Sequence, residues 1–317
     1  MELIRGLYGL RSCHRPSVAT IGAFDGVHLG HQAVIAQLRE QGRQHGLCTT
    51  VVTFEPLPRE YLSVDRAPAR LQSFRERFSA LAELGVDQLL CLRFNETLRQ
   101  MSARSFADTI FVQGLACRSL VLGDDFRFGR DREGGSSLMR EIGAQAGFDT
   151  LPTHTVELAG ERVSSTRLRE ALAAGDFSLA EACLGRPYGM SGRVIHGRQL
   201  GRQIGVPTAN IALRRRSVPL SGVFAVSVSG AGLDNVAAIA NVGIRPTVEA
   251  GLRPNLEVHV LEGEHALYGE RLSVSFRHKL RDEQRFESVD QLKTQIHSDI
   301  DGARSWFAAA VQDDQRT

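Results

Sequence analysis

Residues 18–45 constrain this chain more than any other stretch, because the residue pattern changes period within a few positions. Val18, Ala19 and Ile21 make a short apolar run, Gly22, Gly26 and Gly30 punctuate a turn, and Val34, Ile35 and Leu38 recur at helical spacing. That order predicts a buried strand, a glycine-rich turn and an amphipathic helix. His28 and His31 stand three apart where the helix begins. Helix-start N–H groups and the positive end of the helix dipole favour phosphate at such a place. Imidazoles there can donate to phosphate oxygens as charge develops. A helical zinc site needs histidines four apart with a glutamate between them, so the spacing argues against it. The plainer alternative, a histidine that merely caps the helix, stays open on the spacing alone.

The same alternation continues to about residue 184. Strands are expected at 18–23, 49–54, 87–93 and 118–122, and helices at 30–45, 73–84, 103–113, 136–146 and 166–174. This predicts βαβ units on a parallel sheet, with a ligand at the carboxyl ends of the strands. Those ends carry 22–31, 54–58 and 123–129. After Leu184-Gly185-Arg186-Pro187 the pattern becomes short β-rich runs at 189–195, 223–228, 236–242, 256–261 and 271–276, then one helix at 289–307. An antiparallel barrel or sandwich is expected there. Two domains, 1–184 and 185–317, are expected, in keeping with the length of 317 residues.

Composition narrows the chemistry. A net charge of +2 offers no basic surface for nucleic acid, and Arg214-Arg215-Arg216 reads as a solvated turn. No apolar run approaches membrane-spanning length and the first residues do not read as a signal peptide, so a cytoplasmic protein is expected. Cysteines 13, 48, 91, 117 and 183 are scattered and never in CxxC spacing, which implies neither disulfides nor zinc. Lys279 and Lys293 are the only lysines. Residues 1–278 therefore hold neither a Walker A lysine nor a lysine able to form a covalent nucleotidyl intermediate. Phosphate handling there falls to arginine, histidine, hydroxyls and backbone N–H groups.

Two further motifs carry phosphate chemistry. Ser164-Ser165-Thr166-Arg167-Leu168-Arg169 places hydroxyls and arginines at a helix start. Such groups can cap the helix or grip a triphosphate. In the second half, Gly197, Gly201 and Gly205 recur every four residues and lead into Pro207-Thr208-Ala209-Asn210. On a strand Thr208 and Asn210 face one side, and their oxygens suit Mg²⁺.

Together these motifs resemble those of the bacterial bifunctional riboflavin kinase/FAD synthetase family over essentially the whole chain. The resemblance rests on GAFDGVHLGH, TFEPLP, GDDFRFG, SSTRLR, GRQLGRQIGVPTANI, NVGIRPT, and NLEVHVL followed by LYG. It implies a Rossmann-like nucleotidylyltransferase domain with a parallel sheet that adenylylates FMN to FAD. It also implies a six-stranded antiparallel barrel with a C-terminal helix that phosphorylates riboflavin to FMN. ATP would be co-substrate of both steps and Mg²⁺ their cofactor, in a monomer or transient homo-oligomer with no nucleic-acid or membrane partner. By motif, His28 and His31 would be catalytic in adenylyl transfer, and Gly22, Phe24, Asp25 and Gly30 would bind its nucleotide. Ser165, Thr166 and Arg169 would hold the β- and γ-phosphates as pyrophosphate leaves. Pro56, Pro58, Asp125, Phe126 and Phe128 would line the FMN site. In the kinase, Glu257 would be the base, Thr208 and Asn210 the metal ligands, and Gly197, Arg198, Gly201, Arg202 and Gly205 the nucleotide loop. Arg281 and Glu283 would lie on its flavin side.

Two departures stand out. Leu57 replaces the usual histidine of Pro-His-Pro, and Asp125 stands where many relatives carry asparagine. A lost imidazole and an added carboxylate both bear on FMN affinity, the carboxylate less so where an arginine such as Arg127 offsets it. A kinase whose first domain is inactive, or uses another phosphorylated acceptor, is the alternative reading.

Overall fold

The computed structural model describes residues 1–10, 16–63, 65–123, 125–197, 205–247 and 251–314. Packing divides the chain into two compact units. The first joins Met1–Pro68 to Phe74–Ser164, and the second joins Ala69–Ser73 to Ser165–Thr317. The composition of the chain changes at residue 184, but the helices Ser165–Ala174 and Phe177–Leu184 pack with the second unit.

The first unit is built on a parallel sheet of β1 (Glu2–Arg5), β2 (Ser17–Ile21), β3 (Cys48–Phe54), β4 (Gln88–Leu92), β5 (Cys117–Leu122) and β8 (Asp149–Pro152). Two small hairpins complete its strands: β6 (Arg127–Phe128) with β7 (Gly134–Gly135), and β9 (Glu157–Leu158) with β10 (Glu161–Arg162). The sheet order is β1-β4-β3-β2-β5-β8. The chain leaves β2 toward β3 on one side and returns to β5 on the other, so the switch point lies at the carboxyl end of β2. Successive residues alternate between two cores. Ala19, Val52, Leu90 and Leu120 pack with Phe106, Phe111, Met139 and Ile142, whereas Val18, Val51, Leu89 and Val121 pack with Ile35, Leu38 and Leu81. Both faces are covered, which is why these strands read as continuous apolar runs.

The expected helices form at Leu29–His45, Phe74–Glu83 and Ser136–Ala146, and the 103–113 segment runs as an α-helix to Ala107 and a π-helix over Asp108–Gly114. Sequence pattern missed β1 and β8. Each is only four residues long, and their burial is partial.

The second unit holds a closed antiparallel barrel rather than a sandwich. Its strands are β11 (Gly189–Ile195), β12 (Ala209–Ala212), β13 (Gly222–Gly230), β14 (Leu233–Thr247), β15 (Gly251–Val260) and β16 (Arg271–Arg281), in the order β11-β12-β15-β14-β13-β16. Closure leaves no free sheet edge among these strands. On the outside of the barrel, Val223, Ala225 and Ile239 pack against Ile300 and Ala303 of the helix Val289–Asp314. Arg281 forks onto Asp299 of that helix, with Nε–Oδ1 at 2.8 Å and Nη2–Oδ2 at 2.7 Å.

The triple-arginine turn is not wholly solvated. Arg214 and Arg216 are exposed, but Arg215 is buried and donates to Leu71 O at 2.8 Å and to the Tyr188 hydroxyl at 3.2 Å. Its guanidinium meets the carbonyls of Arg70 and Leu71 in Ala69–Ser73, the segment that the first part of the chain contributes to this unit. A buried cation needs such acceptors, and sequence composition could not reveal them.

Candidate functional site

At the switch point, the turn from Gly22 to His28 is held in unusual backbone. Phe24 has φ 49°, Gly26 φ 95° and Val27 φ 43°. A β-branched residue at positive φ is strained, and strain of this kind gathers at functional sites. His28 caps the helix Leu29–His45, its Nδ1 accepting from the His31 backbone N–H at 3.4 Å. That acceptor role puts the proton of the neutral ring on Nε2. The His31 ring stacks on His28 with centroids 3.7 Å apart and is flanked by Phe24 at 4.9 Å. Gly30 leaves room for this stack, since a Cβ there would lie 3.2 Å from the His28 ring.

Burial pushes His31 well below its ordinary value, and His28, Arg77 and Arg162 add to the effect by charge repulsion. The ring is therefore neutral near pH 7. Its Nδ1 is buried and has no hydrogen-bond partner. Asp25, in the same turn, is buried as well.

Arg77 belongs to this site and was not singled out from the sequence. Its side chain has no solvent exposure and donates to Ala23 O at 2.9 Å, Phe54 O at 3.2 Å and Glu55 Oε2 at 3.2 Å. The signal was an arginine on the apolar stripe of a helix, beside Phe74, Phe78 and Leu81.

Pro56 and Pro58 follow β3 and are half-buried, and Leu57 between them is buried. Phe128 sits in the core, and the half-buried Phe126 stacks on it at 5.2 Å. The arginine facing Asp125 is Arg162, at 3.7 Å, and not Arg127, which turns to Phe126 O. Both members of that pair are exposed, so the compensation is weak. Ser165 and Thr166 open their helix in the second unit, and Arg169 there donates to Ala69 O at 2.6 Å and Ser165 O at 3.1 Å.

The barrel supplies a different kind of site. Asn210, itself buried, lies directly opposite Glu257, and the register Asn210–Glu257–Asn241–Val223 puts it on the outer face that Val223 shares with the C-terminal helix. Glu257 is in turn opposite Asn241 on β14. Residues directly opposite share a face, so Asn210, Glu257 and Asn241 form one row across three strands. Asn255, two residues before Glu257, donates to its Oε1 at 2.7 Å. Asn241 and Asn255 went unassigned in the sequence, although both lie in the family-like strings. Gly197 abuts Asn210, and a Cβ at 197 would overlap the Asn210 amide. Gly243, opposite Asn255, likewise abuts the Glu283 carboxylate. Thr208 immediately precedes β12, beside a cleft of about 720 Å³ whose wall also includes Pro207, His259, Leu267 and Tyr268. His259 sits on the Glu257 face and meets Pro207 O at 2.8 Å.

Arg281 is opposite Val223, which is itself opposite Asn241, and it gives its donors to Asp299 and the Asp282 carbonyl. Arg198, Gly201 and Arg202 lie outside the described residues, as does Asp124 of the 123–129 loop; Gly205 is exposed, with φ 82°. Among the described residues no cluster of three or more His, Cys, Asp or Glu could hold a metal ion. Mg²⁺ does not need one, since it takes one or two protein oxygens and completes its shell from phosphates and water. The Thr208 hydroxyl and the Asn210 amide oxygen fit that demand. Burial pushes the Cys117 thiol up to about 12, which removes it as a nucleophile.

A profile of FAD synthetases matches residues 10–167, and a profile of riboflavin kinases matches residues 184–307. The chain is 52% identical over 311 residues to the bifunctional riboflavin kinase/FMN adenylyltransferase of Pseudomonas fluorescens, covering 98% of this chain and 99% of that one. It is 47% identical over 308 residues to the protein so named in Escherichia coli strain K12, covering 97% and 98%. A crystal structure described as a macrolide-efflux protein from Streptococcus pneumoniae superposes with a TM-score of 0.80 at 29% identity, covering 96% of this chain and 100% of that one. No helix among the described residues is long and apolar enough to cross a membrane.

Proposed function

This chain belongs to the bifunctional riboflavin kinase/FMN adenylyltransferase family, and on that premise we propose where each reaction runs and which side chains run it. The domains that perform them are 1–184 for adenylyl transfer and 185–317 for phosphorylation.

In adenylyl transfer, a phosphate oxygen of FMN attacks the α-phosphorus of ATP, and the bond to pyrophosphate breaks. The His28 Nε2–H and the N–H groups opening the helix Leu29–His45 hold the phosphate oxygens. Neutral His31 packs behind His28 and fixes its plane, and each imidazole offers a hydrogen bond to charge that grows in the transition state. Gly22, Phe24, Asp25 and Gly30 shape the turn around the nucleotide. Pro56, Pro58, Asp125, Phe126 and Phe128 stand on the FMN side. For Ser165, Thr166 and Arg169 the support is the motif pair.

In phosphorylation, Glu257 accepts the proton of the ribityl 5′-hydroxyl as that oxygen attacks the γ-phosphorus of ATP and ADP leaves. Asn255 orients the carboxylate through its hydrogen bond. Thr208 and Asn210 would hold Mg²⁺, which neutralises phosphate charge when bound. Gly197 and Gly205 would approach the nucleotide, and the neighbouring cleft walled by Leu267 and Tyr268 takes the adenine. Glu283 stands on the flavin side, and Arg281 braces the C-terminal helix.

The observation that carries this reading is the direct opposition of Asn210 and Glu257 on the outer face of the barrel. It sets a metal-type oxygen beside a proton acceptor. A chromatographic time course with riboflavin, ATP and Mg²⁺ tests the whole scheme. FMN is expected to rise and then give way to FAD; FMN that accumulates unconverted would confine activity to the barrel and implicate Leu57 and Asp125.

A further inference from the structure

A buried guanidinium is costly unless its donors are used, and an apolar side chain would fill the same space without that cost. Arg77 nevertheless has no exposure, and its acceptors are specific. Ala23 lies in the strained turn after β2, and Phe54 and Glu55 lie where β3 ends. Thr53 Oγ1 reaches the same Ala23 carbonyl at 3.4 Å. One planar group thus ties the two strand ends that flank the histidine pair.

We propose that Arg77 is a positioning residue for FMN adenylylation, its fork holding the Ala23–Val27 turn in the backbone that presents His28 and His31. The backbone of this turn is strained at Phe24 and Val27, so something must hold it; Arg77 Nη1 donates to Ala23 O while Nη2 anchors the same planar group to Phe54 O and Glu55. The same cation disfavours a proton on His31. Other titratable or charged groups around the turn are His28, Arg162, the buried Asp25 within it, and Glu55, which partly offsets Arg77.

Two variants separate the fork from the charge. Arg77→Lys keeps the charge and loses the planar fork; Arg77→Met loses both. FAD formation from FMN and ATP is followed against pH, with riboflavin phosphorylation by the same chain as the internal reference. For Arg77→Lys, kcat for FAD formation is expected to fall about tenfold or more at unchanged KM for ATP, with the acid limb in place. For Arg77→Met, kcat falls further and the acid limb moves to higher pH. FAD formation within about twofold of the parent in both variants would overturn the proposal. So would loss in Arg77→Met with an unmoved acid limb. If Arg77→Met does not fold by circular dichroism, Arg77→Lys decides: an effect on KM alone, or none, rejects the role. The proposal rests on His31 acting in adenylyl transfer. Retention of FAD formation in His31→Ala would reject that reading, whatever Arg77 does.

Discussion

The two sites are assembled by opposite rules. The first unit collects its site from loops at the carboxyl ends of parallel strands, so His28, Gly30 and His31 are near neighbours in sequence. The barrel collects its site across strands, so Asn210, Asn241 and Glu257 meet through register alone. A parallel sheet points backbone N–H groups and helix starts at one crevice. An antiparallel barrel offers instead a face on which side chains from distant segments lie about 5 Å apart. The lesson is that contiguous motifs locate the turn of the first site and part of the second, while packing brings Arg77 to the one and register brings Asn241 to the other.

The sharpest way to break this comparison is to silence one site at a time. Glu257→Gln is expected to lower riboflavin phosphorylation about a thousandfold while FMN fed directly is still converted to FAD. Phosphorylation that survives would remove Glu257 as the base. His28→Ala or His31→Ala should lower FAD formation about a hundredfold while FMN accumulates, and unchanged FAD output would take the histidines out of the mechanism.

Glycines test how tightly each site is packed. Gly197→Ala puts a Cβ into the Asn210 amide, and about a tenfold rise in KM for ATP in the kinase step is expected. Gly30→Ala meets the His28 ring at 3.2 Å, where a small shift relieves the contact, so its effect on FAD formation should be smaller than that on the kinase. Equal effects would mean that the two contacts yield equally. Asn241→Ala sharpens the register argument: about a fivefold loss of kinase kcat is expected, measured beside unchanged FAD formation.

The mildest effect concerns pH. His31 is neutral when folded and titrates near 6.5 when unfolded. Above 6.5 both states are neutral and the group contributes nothing. As pH falls below 6.5 the unfolded chain takes up a proton first, so the first unit loses stability toward the folded pKa. FAD formation should stay level through neutral pH and decline only well below 6.5. A decline centred at or above 6.5 would show that His31 is not shielded as the structure has it.

Much of the architecture was legible. The βαβ alternation, the change of pattern after residue 184 and the strand over Gly189–Ile195 all follow from period and punctuation. Alternation alone is identical in a sandwich; the family resemblance implied the six-stranded barrel, and the pairing of β11 with β16 closes it. Strand β12 was missed at four residues, too short to show a period.

Within the sites, the sequence by itself determined the residue types and their local settings: two histidines at a helix start, glycines where rings need space, an outward-facing glutamate between apolar neighbours. Those are consequences of chain-local geometry, which composition and spacing encode. Tertiary structure alone decided which distant groups these residues meet. It put Arg77 beneath the Ala23 turn, Asn241 beside Glu257, Arg162 rather than Arg127 near Asp125, and Arg215 onto buried carbonyls. The reason is physical: a guanidinium or an amide finds its partners through burial and register, and both are set by the packing of segments far apart in the chain.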